Sequence, residues 1–95
     1  MNEKLIEKKL REGVKKLGGI ALKFSSQSYT GMPDRIILMP GGKTRFAEIK
    51  TTGKKTTPIQ ERNLEMLSGM GFEACVVDDQ ESLDLLLTDI KNDLL

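Results

Sequence analysis

A chain of 95 residues with a formal net charge of +1 has room for one domain and one modest core. It contains no histidine and a single cysteine, Cys75. Those two facts exclude histidine-based acid–base chemistry, Cys–His and Ser–His nucleophile pairs, internal disulfides, and zinc sites built from cysteine clusters or histidine.

Residues 3–17 read as a helix with Ile6, Leu10, Gly13, Val14 and Leu17 on one stripe, closed by Gly18-Gly19. Glu3 and Glu7 fall on or beside that stripe. The helix dipole favours acids in the first turn, which accounts for Glu3 better than for Glu7. Residues 20–25 read as a strand, followed by a polar loop that contains Ser25, Ser26 and Ser28.

Residues 35–39 and 43–49 read as the strands of a hairpin around Pro40-Gly41-Gly42. A proline followed by glycines suits a three-residue loop, with glycine supplying the positive φ. This loop pairs Met39 with Lys43 and, counting back, Asp34 with Glu48 on one face of the sheet. Two-residue periodicity adds Lys50 to that face. A change of one residue in the loop would turn Asp34 to the opposite side. Ile36, Leu38 and Phe46 share the Asp34 face, and Ile37, Met39, Ala47 and Ile49 the other. Both faces are apolar, so the strands are expected to be central and covered by helices on each side.

Thr57-Pro58-Ile59-Gln60 is a capping box with proline at the first helical position. The helix it opens has Ile59, Asn63, Met66, Leu67 and Met70 on its expected core face and ends at Gly71. Residues 72–77 read as a fourth strand, in which Cys75 is a small buried hydrophobe. Asp78-x-x-Glu81 is expected to cap a last helix with a stripe of Leu83, Leu86, Leu87, Ile90 and Leu94. Leu85 and Leu95 add apolar surface beyond one stripe, so this helix is the expected contact of a homodimer; the alternative is that the stripe only covers the sheet. The resulting class is α/β, an αβββαβ(α) core with a mixed four-stranded sheet flanked by helices, forming a single domain over residues 1–95. No apolar run reaches membrane-spanning length and no signal peptide is evident, so a cytoplasmic protein without a membrane partner is expected.

Charge is strongly polarised along the chain. Residues 1–55 carry thirteen Lys/Arg against five Asp/Glu, and residues 56–95 carry two against nine. Such asymmetry points to a surface that faces a polyanion. Lys4, Lys8, Lys9, Arg11, Lys15 and Lys16 line the first helix, while Lys54 and Lys55 crowd the loop beside Lys50. Asp34, Glu48 and Lys50 converge at one strand end, where a buried carboxylate pair is costly without a cation. The alternative is a surface hairpin whose acids pair with Arg35, Arg45 or Lys50.

Glu7 on a helix, Pro33-Asp34, Glu48-Ile49-Lys50 and a downstream Gln60, in this element order, resemble the PD-(D/E)XK nuclease superfamily with its restriction-endonuclease-like fold. The Gly31-Met32-Pro33-Asp34 entry and the short chain are most similar to the stand-alone VRR-NUC domains of phages and bacteria, which are similar in turn to archaeal Holliday-junction resolvases. The resemblance covers at least residues 7–77. It implies that Asp34, Glu48 and the backbone carbonyl of Ile49 hold Mg²⁺ or Mn²⁺, with Glu7 completing or supporting the shell. It implies that Lys50 orients the attacking water or stabilises charge on the phosphorus. Gln60 supports Lys50 or the phosphate, or else serves only as the helix cap. Lys54, Lys55 and Lys8 become candidates for the nucleic-acid backbone, and Ser26 and Ser28 for phosphate contacts. The implied activity is metal-dependent cleavage of branched DNA in a bacterial cell or phage-infected host. A flap or single-strand nuclease of the same fold and a non-catalytic nucleic-acid-binding module are the alternatives.

Overall fold

The computed structural model describes residues 1–95. Its elements run α1 (Glu3–Lys16), β1 (Ile20–Lys23), β2 (Arg35–Met39), β3 (Lys43–Ile49), α2 (Pro58–Gly69), β4 (Glu73–Val77) and α3 (Gln80–Asp93), with a 3-10 turn at Pro40–Gly42 between β2 and β3. The four strands form one sheet in the order β1-β2-β3-β4. The β1–β2 and β2–β3 pairs are antiparallel and β3–β4 is parallel, so the sheet is mixed as the sequence implies.

The hairpin has the expected register. Met39 pairs with Lys43 and Arg35 with Ala47, which sets Asp34 against Glu48 one position further out. Gly41 and Gly42 have φ of 83° and 76°, values that make the short turn possible without strain.

One face of the sheet carries the main core. Ile6, Leu10 and Val14 of α1 and Leu83, Leu86 and Ile90 of α3 close over Ala21, Ile37, Met39, Ala47, Ile49 and Val77. Each Val, Leu, Ile or Met side chain among them contributes roughly 1.5–3 kcal/mol relative to exposure. The other face is covered less completely. α2 lies over it, with Asn63 and Leu67 buried and Phe46 stacked edge-on between Phe24 and Phe72. Beyond the reach of α2, Ile20, Leu22 and Leu38 remain 51%, 41% and 38% exposed on adjoining strands. Helices therefore lie on both faces as expected, but they do not close the second.

Several local expectations are corrected. The cap of α3 is Asp79, not Asp78, because the Ser82 hydroxyl accepts from the Asp79 backbone N–H while Asp79 accepts from the Ser82 N–H. β1 ends at Lys23 rather than residue 25, and Phe24 N–H reaches back to the Asp34 carbonyl at 2.8 Å. Ile59 of α2 and Met70, which caps its C-terminus, are exposed rather than core-facing, since that helix buries only a narrow strip. On α3, Leu83, Leu86 and Ile90 are consumed by the core, leaving Leu85 and the terminal Leu94 and Leu95 outside. Leu83, Leu86 and Ile90 thus form the sheet-covering face, and the apolar surface expected beyond one stripe stays exposed.

Candidate active site

The ends of β3 and β4, the start of β2 and the first turns of α1 and α2 meet at one end of the sheet. Asp34 enters there just before β2, behind the fully buried Pro33. Its Oδ1 accepts from the Ile49 backbone N–H at 3.0 Å, which ties the aspartate across to the end of β3. Burial is the main force raising the Asp34 pKa; the Ile49 hydrogen bond opposes it, and the nearby charge of Glu7 adds to it.

Glu48 is 4% exposed. Its Oε1 accepts from Gln60 Nε2 at 3.0 Å and stands 4.0 Å from Lys50 Nζ. Its Oε2 is buried with no partner. Burial and then the charge of Asp34 push the Glu48 carboxyl up to about 7, against the pull of Lys50. A buried carboxylate oxygen without a donor is costly and rare in folded proteins. Next to a second carboxylate, it fits a hard cation that takes oxygen ligands, Mg²⁺ or Mn²⁺.

Gln60 belongs to both the helix and the site. Its Oε1 accepts from the Thr57 backbone N–H at 2.9 Å, completing the capping box, while its Nε2 serves Glu48. The cap expected from the sequence uses Oε1, and the Nε2 left over serves Glu48 rather than Lys50 or a phosphate. Lys50 is mostly buried at the end of β3, where its N–H donates to the Val77 carbonyl at 3.0 Å.

Asp34, Glu48, Lys50 and Gln60 are therefore brought together. Glu7 comes near enough to influence Asp34, yet its Oε2 faces Arg35 Nη2 at 3.4 Å. No three acidic side chains stand in a preformed metal cage. Lys54 and Lys55 are exposed on the loop after β3, Lys8 is exposed on α1, and half-buried Ser26 and exposed Ser28 sit on the loop before Asp34. Ile49 buries its side chain in the core, leaving only its backbone at the site.

Two residues at this end were not singled out for the site from the sequence. Arg35 is 3% exposed beneath α1, not on a surface hairpin. Asn63 is equally buried, one turn along α2 from Gln60, and its Nδ2 donates to the Thr30 carbonyl at 2.8 Å. It fixes the loop that leads into Asp34. Gly31 is required there: φ is +85°, and a Cβ would lie 3.0 Å from Asn63 Nδ2 and from Ile59. Tyr29 on the same loop is half-exposed and donates to Met66 Sδ at 3.4 Å. An asparagine on a core-facing helical position was the available signal for Asn63. Burial pushes the Cys75 thiol up to about 11, away from the thiolate that a nucleophile or metal ligand needs.

Comparison with known proteins extends these observations. "Putative nuclease p44" of Acyrthosiphon pisum secondary endosymbiont phage 1 is 42% identical over 86 residues, which is 90% of this chain and 92% of that protein. A solved structure described as a VRR_NUC domain superposes with a TM-score of 0.83 at 30% identity, covering 90% of this chain and 94% of its own. A second, described as a VRR_NUC domain protein, has a TM-score of 0.65 at 23% identity and covers 96% of this chain and 86% of its own; it bears on the fold alone. No family model matches the sequence.

Proposed function

The chain belongs to the VRR-NUC family, and from that membership we propose that it is a metal-dependent DNA endonuclease acting on branched, Holliday-junction-like DNA as a homodimer. The observation that carries this reading is the stranded Oε2 of Glu48 beside Asp34. Asp34, Glu48 and the Ile49 carbonyl are the groups to hold Mg²⁺ or Mn²⁺. When bound, such a cation supplies Lewis acidity to a phosphate oxygen and a more acidic water.

The protein's own side chains do the rest. Lys50 brings positive charge to the position where negative charge develops on the phosphate. Gln60 keeps Glu48 from rotating by holding one of its oxygens from a capped helix start. Lys54, Lys55 and Lys8 neutralise flanking phosphates without reading bases, and Ser26 and Ser28 offer hydroxyls from the neighbouring loop. One tyrosine, three phenylalanines and no tryptophan leave little means of splaying bases, which favours recognition of DNA shape over sequence. No helix is long and apolar enough to cross a membrane.

The homodimer reading rests on the open apolar strip Ile20, Leu22 and Leu38 on the outer sheet face rather than on α3. A second copy of the chain meets such a surface by two-fold symmetry. Two sites facing opposite strands suit a junction with two continuous backbones.

The test is a gel assay on branched, nicked and linear DNA with Mg²⁺. Asp34→Ala and Glu48→Ala are expected to abolish cutting while leaving DNA affinity nearly intact, and Lys50→Ala to inactivate without preventing metal binding. Cleavage by Glu48→Ala equal to that of the parent would overturn the assignment. Preferential cutting of flaps or nicks would shift the substrate to single-strand ends.

A further inference from the structure

Arg35 follows Asp34 directly, and successive side chains along a strand leave opposite faces of the sheet. Asp34 reaches the side of Glu48; Arg35 goes beneath α1, into the neighbourhood of the main core. A charge in that position is costly unless it is closely matched, and the matching is partial. Nη1 donates to the Ala21 carbonyl at 3.4 Å, and Nη2 lies 3.4 Å from Glu7 Oε2 without hydrogen-bond geometry.

Packing does not account for a guanidinium here. A methionine would bury a stem of similar size and strand no charge. What methionine cannot do is hold a carboxylate. Glu7 is the one acid that Arg35 pairs with, and it lies between the buried Ile6 and Leu10 in sequence, at the margin of the core face of α1. A carboxylate at such a margin turns to water unless a cation draws it inward. Arg35 stands next to Asp34 in the chain, so the pull that draws Glu7 inward also holds it at the sheet end.

We propose that Arg35 is the positioning residue for Glu7: it clamps Oε2 from the core side and leaves Oε1 for the ligand shell around Asp34 and Glu48. This rests on the metal-dependent reading given above. Arg35 itself touches neither metal nor DNA. It acts as the outer partners of metal-ligating side chains do, whose loss typically lowers metal affinity about 10–100-fold.

The experiment is calorimetric titration of DNA-free protein with Mn²⁺, alongside thermal melts, for the parent, Arg35→Lys, Glu7→Gln, the double variant and Arg35→Met. Lysine keeps the charge, so its through-space repulsion of a cation persists while the guanidinium nitrogen that stands 3.4 Å from Oε2 is lost. Arg35→Lys and Glu7→Gln are each expected to weaken Mn²⁺ binding about tenfold, and the double variant no further than Glu7→Gln alone. Arg35→Met supplies an independent sign, because removing a positive charge favours a cation by Coulomb's law. Weaker binding in that variant therefore supports the clamp even if the lysine variant folds poorly. Parent-like affinity in Arg35→Lys with only a lower melting temperature would make Arg35 a packing residue. A further loss in the double variant beyond Glu7→Gln would show that Arg35 acts independently of Glu7. Absence of Mn²⁺ binding by the parent would instead overturn the metal-dependent reading itself.

Discussion

Gln60 Nε2 donates to Glu48 Oε1 at 3.0 Å while the same side chain closes the N-terminal cap of α2. The two bonds also fix which end of the amide is which, since the Thr57 N–H needs an oxygen and the carboxylate needs a donor. Capping and site geometry are thereby mechanically joined.

Separating the two roles is straightforward. Thr57→Ala removes the reciprocal cap and is expected to cost about 1 kcal/mol of stability with cleavage largely retained. Gln60→Ala is expected to cost a similar amount and also to lower cleavage at least tenfold. Equal activity losses in the two variants, measured alongside denaturant unfolding, would reduce Gln60 to a cap.

Glu48 also gives the metal-free protein a characteristic pH profile. Its carboxyl titrates near 4.5 when unfolded and near 7 when folded. Between those values the folded chain holds a proton that the unfolded chain lacks, so stability falls as pH rises through that window. Asp34 is shifted in the same direction and adds to the trend. Unfolding free energy without metal is expected to be higher near about pH 5 than near about pH 8, by up to roughly 3 kcal/mol from Glu48. Glu48→Gln flattens most of that slope. Cleavage moves the opposite way, because metal binding needs the ionised carboxylate. A stability profile that rises from about pH 5 to about pH 8 in the parent would contradict this assignment.

Much of this was legible in the sequence because the hairpin leaves little freedom. Pro40-Gly41-Gly42 admits one short turn, that turn fixes Met39 against Lys43, and alternation then delivers Asp34 and Glu48 to one face. Arg35 was harder to assign. Sequence offers it as a surface partner for nearby acids, and only the packing of α1 over β2 shows that it is buried against Glu7. The uncovered half of the outer face escaped for a similar reason. Alternating apolar residues show that both faces are greasy, but not that α2 is too narrow to cover Ile20, Leu22 and Leu38.

That uncovered strip makes the dimer reading testable without disturbing the core. Leu22→Asp or Leu38→Asp is expected to yield a monomer by light scattering at micromolar concentration with the melting temperature of the folded subunit little changed. Leu85→Asp on α3 is expected to leave the dimer intact. Dissociation by Leu85→Asp alone would return the interface to the last helix, and a monomeric parent would remove it altogether.

Lys54 and Lys55 sit exposed on the loop that follows β3, with no acid paired to either. Changing both to alanine is expected to weaken DNA binding alike for all sequences and to lower the salt slope by about two phosphates' worth. An unaltered slope would mean that the loop points away from the duplex.

The Tyr29–Met66 contact makes the loop optically addressable. With no tryptophan and this single tyrosine in the chain, essentially all intrinsic emission originates from the segment that Asn63 ties down ahead of Asp34. The thioether of Met66 lies against the phenol in the free protein. Any event that lifts the loop therefore changes the dominant fluorophore, and docking of nucleic acid can be followed in real time without attaching a dye.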